Sequence, residues 1–170
     1  HQSVFGSPSH ARVIVNIGGI SNISILAADG SVTGFDTGPG NVLMDAWIHQ
    51  HQGKAYDADG QWAASGEVID TLLTRLLDED FFRQAPPKST GREYFNLSFI
   101  ESALEGLGGT PAANVQATLC ELTATSLRDA ILLHAAERPE RVLACGGGVH
   151  NRHLMRRIAA NLGGTAVQST

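Results

Sequence analysis

Several things are scarce in this sequence, and each shortage narrows what it can be. Only two of its 170 residues are cysteine, which excludes the small secreted scaffolds held together by disulfides. Cys120 falls in a helical pattern and Cys145 in an apolar strand, so both read as buried thiols in a reducing compartment. Positive charge is also short. Twelve Lys and Arg face 17 Asp and Glu, a net charge of −5, and this argues against the basic footprint of a nucleic-acid binder. No apolar run reaches the ~18 residues that a membrane-spanning helix needs. No signal-peptide pattern opens the chain, and residues 1–11 read as a polar loop or a cut end. The seven histidines form no metal-spaced cluster with Cys or Asp, and His49 and His51 would face different ways on a helix. Asp57 and Asp59 resemble the opening of a calcium loop, but the later glutamate that loop requires is missing.

Glycine, in contrast, is plentiful and clustered. The stretch from Val13 to Asn41 reads VIVNIGGISNISILAADGSVTGFDTGPGN. Three short apolar runs (12–17, 22–27 and 32–36) are separated by turn chemistry, with Asp29-Gly30 as a strong hairpin signal. These are three consecutive strands, and Gly18-Gly19 and Gly38-Pro39-Gly40 form loops at their ends. Downstream, Asn41 can cap a helix to about Gln52, residues 53–66 read as a polar loop, and 67–82 as one helix. Pro86-Pro87 breaks the chain before a short helix over 97–104 capped by Asn96. The longest helical pattern covers 114–136 and is ended by Glu137 and Pro139. A buried strand (142–145), the run Gly146-Gly147-Gly148, a helix from Asn151 to about 162 and a strand at 166–169 complete a β–glycine–α–β return. The fold class is α/β in a single domain of 170 residues, enough to bury a core.

Four groups of residues can carry chemistry. Gly18-Gly19 reads either as a phosphate-contacting turn, with Ser21 and Asn22 as donors, or as a hairpin turn needing positive φ. Asp36, at a strand end before a glycine loop, reads as a general base or as an Asx turn; Asp45, one helical turn past Asn41, is the runner-up acid or a surface charge. The triple glycine lets a flat ligand lie on the backbone beside Asn151, or serves close strand–helix packing. Lys88 and Arg92 flank Ser-Thr-Gly and can pair with a phosphate or a carboxylate, or belong to a solvated loop. No Walker A pattern is present.

The segments NIGGISN, GFDTGPGNVLMDAW, PPKSTGREYFN and CGGGVHN, in that order, resemble the anhydro-N-acetylmuramic acid kinases, sugar kinases of the actin/hexokinase superfamily. The resemblance runs from about Arg12 to the C-terminus. It implies an actin-like ATPase (ribonuclease H-like) lobe that begins with three antiparallel strands. It implies a second phosphate loop formed by Asn16, Gly18, Gly19, Ser21 and Asn22, with Gly38 and Gly40 nearby, and an adenosine turn at Gly146, Gly147, Gly148 and Asn151. It makes Asp36 the catalytic base, with Asp45, Lys88 and Arg92 as further contacts to substrate or phosphate. The implied cofactors are ATP and Mg2+, with no direct protein cluster for the metal. The implied reaction opens 1,6-anhydro-N-acetylmuramic acid with water and phosphorylates O6, in cytoplasmic peptidoglycan recycling, within a homodimer. The family's first phosphate loop and a further acidic motif are absent, so the chain reads as the C-terminal lobe of a two-lobe kinase, truncated at both ends and inactive alone. Another sugar kinase or acetate-kinase-like enzyme of the superfamily, and a non-catalytic nucleotide-binding module, remain as rival readings.

Overall fold

The computed structural model describes residues 12–135 and 138–170. The expected loop over 1–11 and the expected helix end at Ala136-Glu137 lie outside them. Strands β1 (Arg12–Ile17), β2 (Ile20–Leu26) and β3 (Val32–Pro39) follow one another as antiparallel neighbours. Strands β4 (Arg141–Cys145) and β5 (Ala166–Ser169) join the other side in parallel, giving the order β3-β2-β1-β4-β5. Asp29 closes the β2–β3 hairpin as its carboxylate accepts from the amide and hydroxyl of Ser31, while Gly30 takes φ 93°.

Strand periodicity separates the two faces of the sheet. Val13, Val15, Ile17, Ile23, Ile25, Phe35, Val142 and Ala144 are buried against the helices. On the opposite face the register aligns Asp36, Asn22, Asn16 and Cys145 in one transverse row. Cys145 is therefore half-buried, not enclosed as the apolar strand suggested, while Cys120 is buried and its thiol is pushed up to about 12 by burial.

Helix α1 (Val42–Gln52) ends at Gly53 in the left-handed region. Residues 53–66 are more ordered than their polarity suggested: a 3₁₀ turn (Ala58–Gly60) leads into α2 (Gln61–Ser65). Asp57 is the reason, since its carboxylate accepts from the amides of Trp62 and Ala63, two of the orphan donors at that helix start. The single helix expected over 67–82 is two, α3 (Asp70–Leu77) and α4 (Asp80–Arg83). At its start, the amides of Glu67 and Ile69 donate to Asn114 and Thr118, holding that backbone extended. At the break, Asp78 and Asp80 both pair with Arg83, and their charges oppose continuation of a helix C-terminus.

Asn96 caps α5 (Leu97–Ala103), accepting from the Phe99 amide as the sequence predicts, and Asn151 caps α7 (Arg152–Asn161) in the same way. Between them α6 (Ala112–His134) packs on β2 and β3 and against α1, α2, α3 and α7. It is buried well beyond one apolar stripe, with Gln116, Thr118, Glu121, Thr123, Thr125 and Ser126 all interior. Among the described residues no helix is long and apolar enough to cross a membrane.

Candidate functional site

Parallel pairing of β1 with β4 brings the two glycine turns to one edge of the sheet, since both turns follow C-terminal strand ends. At the first turn, neither Gly18 nor Gly19 has a positive φ. Backbone strain therefore does not explain the glycines. The Gly18 carbonyl accepts from the Asn41 amide (2.9 Å), and the Gly19 carbonyl accepts from Gly40 (2.8 Å) and Val42 (3.1 Å). The amides of Gly18 and Gly19 themselves donate to nothing among the described residues. A Cβ on Gly19 would lie 3.6 Å from Nη2 of Arg92, so an exposed guanidinium stands over the turn.

The other glycines divide by what a side chain would meet. Gly38 has φ 143° and a Cβ there would sit 2.8 Å from Phe82; a Cβ on Gly40 would collide with the Gly18 carbonyl. Gly146, at φ 88°, abuts Asn16, and Gly148 is buried under Ile17. These four serve packing and turn geometry. Gly147 is different: nothing lies within 4 Å of its Cβ position.

Gly147 forms part of a cleft of about 400 Å³, with Asn41, Met44, Asp45, Tyr56, Asp57, Asp59, His150 and Asn151. Asn41 occupies the cap position of α1 without making a side-chain cap bond, which leaves its carboxamide to the cleft. A second cavity of about 480 Å³ contains Arg92, His49, Asn96 and again Asp45, so Asp45 stands in the wall between the two. Burial pushes the Asp45 carboxyl up to about 6; Arg92 pulls it down and Asp57 adds to the rise.

Some expected contacts are placed elsewhere. Ser21 is fully enclosed and its hydroxyl has no partner, so it cannot meet a ligand at the surface of the turn. Lys88 turns inward: its ammonium donates to the Phe81 carbonyl (3.0 Å) and lies 4.6 Å from the Phe81 ring centroid, and burial lowers its pKa. Asp36 is outside the 400 Å³ cleft. It sits in the polar row with Asn22 and Asn16, next to a β-bulge at Thr37, and its Oδ2 accepts from the Thr90 amide (3.0 Å). The loop from Lys88 to Arg92 thus holds Asp36 at one end and overhangs Gly19 at the other. Tyr56, Asp57, Asp59 and His150 were missed from the sequence. The YDAD segment offered only a failed calcium pattern, and its cleft position depends on packing against the β4 turn. Among the described residues no group of three His, Cys, Asp or Glu side chains is arranged to hold a metal.

The three antiparallel strands, the parallel return and the paired glycine turns define the actin-like ATPase fold. The chain superposes over 94% of its length on the activator of 2-hydroxyisocaproyl-CoA dehydratase from Clostridium difficile, solved with bound ADPNP (TM-score 0.52, 14% identity, 53% of that chain). It superposes equally far on component A of the (R)-2-hydroxyglutaryl-CoA dehydratase from Acidaminococcus fermentans (TM-score 0.56, 14% identity, 55% of that chain). Within this fold class the family is narrower. Residues 1–170 match the family model for anhydro-N-acetylmuramic acid kinase, and the chain belongs to that family. It is 52% identical over its full length to the anhydro-N-acetylmuramic acid kinase of Photobacterium profundum and 53% identical to that of Pseudomonas paraeruginosa, covering 47% and 46% of those proteins. The chain therefore spans about half the length of the curated relatives it matches.

Proposed function

We propose that this chain is one lobe of a two-lobe kinase which, in the full-length protein, uses ATP to convert 1,6-anhydro-N-acetylmuramic acid into its ring-opened 6-phosphate. The observation that carries the reading is the Gly18-Gly19 turn. Its carbonyls are tied back by the amides of residues 40–42, its own two amides are open, and Arg92 stands above them. Unbonded backbone donors and a guanidinium suit the oxygens of a polyphosphate. Gly147 provides an unobstructed floor on the same sheet edge for the nucleoside end. That an activator with the same fold holds ADPNP supports nucleotide use.

The donor set also fits Mg2+ held chiefly by phosphate oxygens and water, the usual habit of this ion. No three-ligand protein cluster competes for it among the described residues, and the row of Asn16, Asn22 and Asp36 would reach it through water. Magnesium supplies charge neutralisation at the phosphates.

Asp36 is the base in this scheme. The Thr90 amide fixes Oδ2, and Oδ1 has no partner among the described residues. That oxygen takes a proton from water as the water oxygen bonds to the anomeric carbon. The bond from that carbon to O6 breaks, and O6 takes the γ-phosphoryl group while ADP leaves. The need for ATP and a recycled wall sugar places the reaction in the cytoplasm. In the full-length enzyme Asp36→Asn keeps the Thr90 contact but should lower kcat about a hundredfold or more, with nucleotide affinity retained. Steady-state kinetics with calorimetry test this, and near-normal turnover sinks the assignment.

A further inference from the structure

Asp45 has an unusual position among the acids of the cleft. Asp57 is fully engaged, accepting from Trp62, Ala63 and Gln116. Asp59 faces Arg152 at 3.8 Å. The Asp45 carboxylate has no hydrogen bond and no ion pair within 4.0 Å among the described residues, yet it is half-buried between two cavities. Its raised pKa, caused first by burial, marks a desolvated acceptor without donors. What meets it must bring protons or positive charge, and among the described residues it belongs to no three-ligand metal group. A phosphate oxygen brings none and repels a carboxylate, so Asp45 is not a phosphate contact. Hydroxyls on adjacent carbons fit it, because the two carboxylate oxygens can accept one each.

Two ring systems in the proposed reaction carry hydroxyls, and the geometry separates them. The reacting sugar has to meet Asp36, which lies outside this cleft on the other face of the sheet. The phosphates have to meet the Gly18-Gly19 turn under Arg92. Asp45 lines the same cleft as Gly147, where the nucleoside end would run, and borders the cavity beside Arg92. We infer that Asp45 receives the ribose 2′- and 3′-hydroxyls of the nucleotide and sets the preference for a ribose diol, an inference that rests on the nucleotide reading above.

The test is calorimetry on the full-length protein with ADP and 2′,3′-dideoxy-ADP, in the absence of sugar. Wild-type protein should bind ADP about tenfold or more tighter than the dideoxy compound, the range for hydrogen bonds to a charged group. In Asp45→Ala the gap should close through weaker ADP binding, with the KM for the anhydro sugar unchanged. Asp45→Asn, which keeps the volume and one acceptor, should restore part of the gap. Equal binding of the two nucleotides by wild type, or a gap that persists in both variants, overturns the inference. So does a variant that raises the sugar KM and leaves ADP binding alone, because the hydroxyls would then be the sugar's. Failure of the full-length protein to phosphorylate the anhydro sugar would remove the proposed reaction while leaving the nucleotide comparison readable by itself.

Discussion

Gly147 and Gly148 are neighbours in sequence and opposites in tolerance. A Cβ on Gly147 meets nothing within 4 Å, whereas one on Gly148 is driven into Ile17. Gly147→Val should therefore fold with near wild-type stability and lose affinity for ATP much more than for the sugar. Gly148→Ala should instead lose about 1–3 kcal/mol of stability by overpacking. Denaturant unfolding and nucleotide calorimetry on the full-length variants separate the two effects, and unchanged ATP affinity in Gly147→Val would assign that glycine to packing as well. The sequence shows a uniform GGG. The division of labour within it comes from Ile17, 131 positions earlier, brought underneath by the pairing of β1 with β4.

At the scale of elements, the long helix α6 holds the site in shape through polar groups. The Thr123 hydroxyl donates to the carbonyls of Pro39 and Gly40, immediately behind the amide that ties down Gly19. Farther along, Glu121 takes Arg157 at 2.7 Å and Asn161 at 3.0 Å, joining α6 to α7. Burial pushes the Glu121 carboxyl up. The bonds from Arg157 and Asn161 and the charges of Arg157 and Arg128 outweigh it, and the net pKa is below the usual 4.5. A carboxyl lowered on folding stabilises the fold above its unfolded pKa and loses that contribution as pH falls through the folded value. Glu121→Gln should cost about 1–3 kcal/mol at neutral pH, the size of a charged hydrogen bond. It should also flatten the acid limb of stability between pH 5 and the folded pKa. Urea titrations across that range check it, and parallel acid limbs in both proteins would refute it. Periodicity found α6 to within two residues at its start. It did not reveal that the polar positions are interior, because burial on every side requires α1, α2, α3 and α7 to be in place.

For the whole molecule, the chain covers under half of its curated relatives, and the proposed phosphoryl transfer depends on enclosing the transferring group. Closure excludes water and supplies donors that bind best in the transition state. Among its described residues the isolated stretch offers the proposed phosphate donors at Gly18-Gly19 and open cavities. It should bind ATP on the order of 0.1–1 mM or more weakly, roughly 4–6 kcal/mol, and release no ADP in response to the anhydro sugar. A coupled ADP-release assay reads this directly, and sugar-dependent turnover at an ordinary kinase rate would refute it.

Much of this protein was determined locally. The hairpin at Asp29-Gly30, the caps at Asn96 and Asn151, the five strands and the four family segments all follow from short-range patterns, because turn chemistry and side-chain period act over a few residues. The late start of α3 at Asp70 and the short helix after Asp57 were not visible, since each depends on distant partners: Asn114 and Thr118 for the first, and Gln116 beside the capping carboxylate for the second. The site itself belongs to the tertiary structure. Only the parallel register of β1 on β4 puts Gly18-Gly19 and Gly147 on one edge, and only packing turns Lys88 into an aromatic cluster while leaving Arg92 over the turn. Residue identity sets which groups can bind a phosphate or a hydroxyl. Which of them are free to do so is set by what the fold has already placed against them, and that information is long-range.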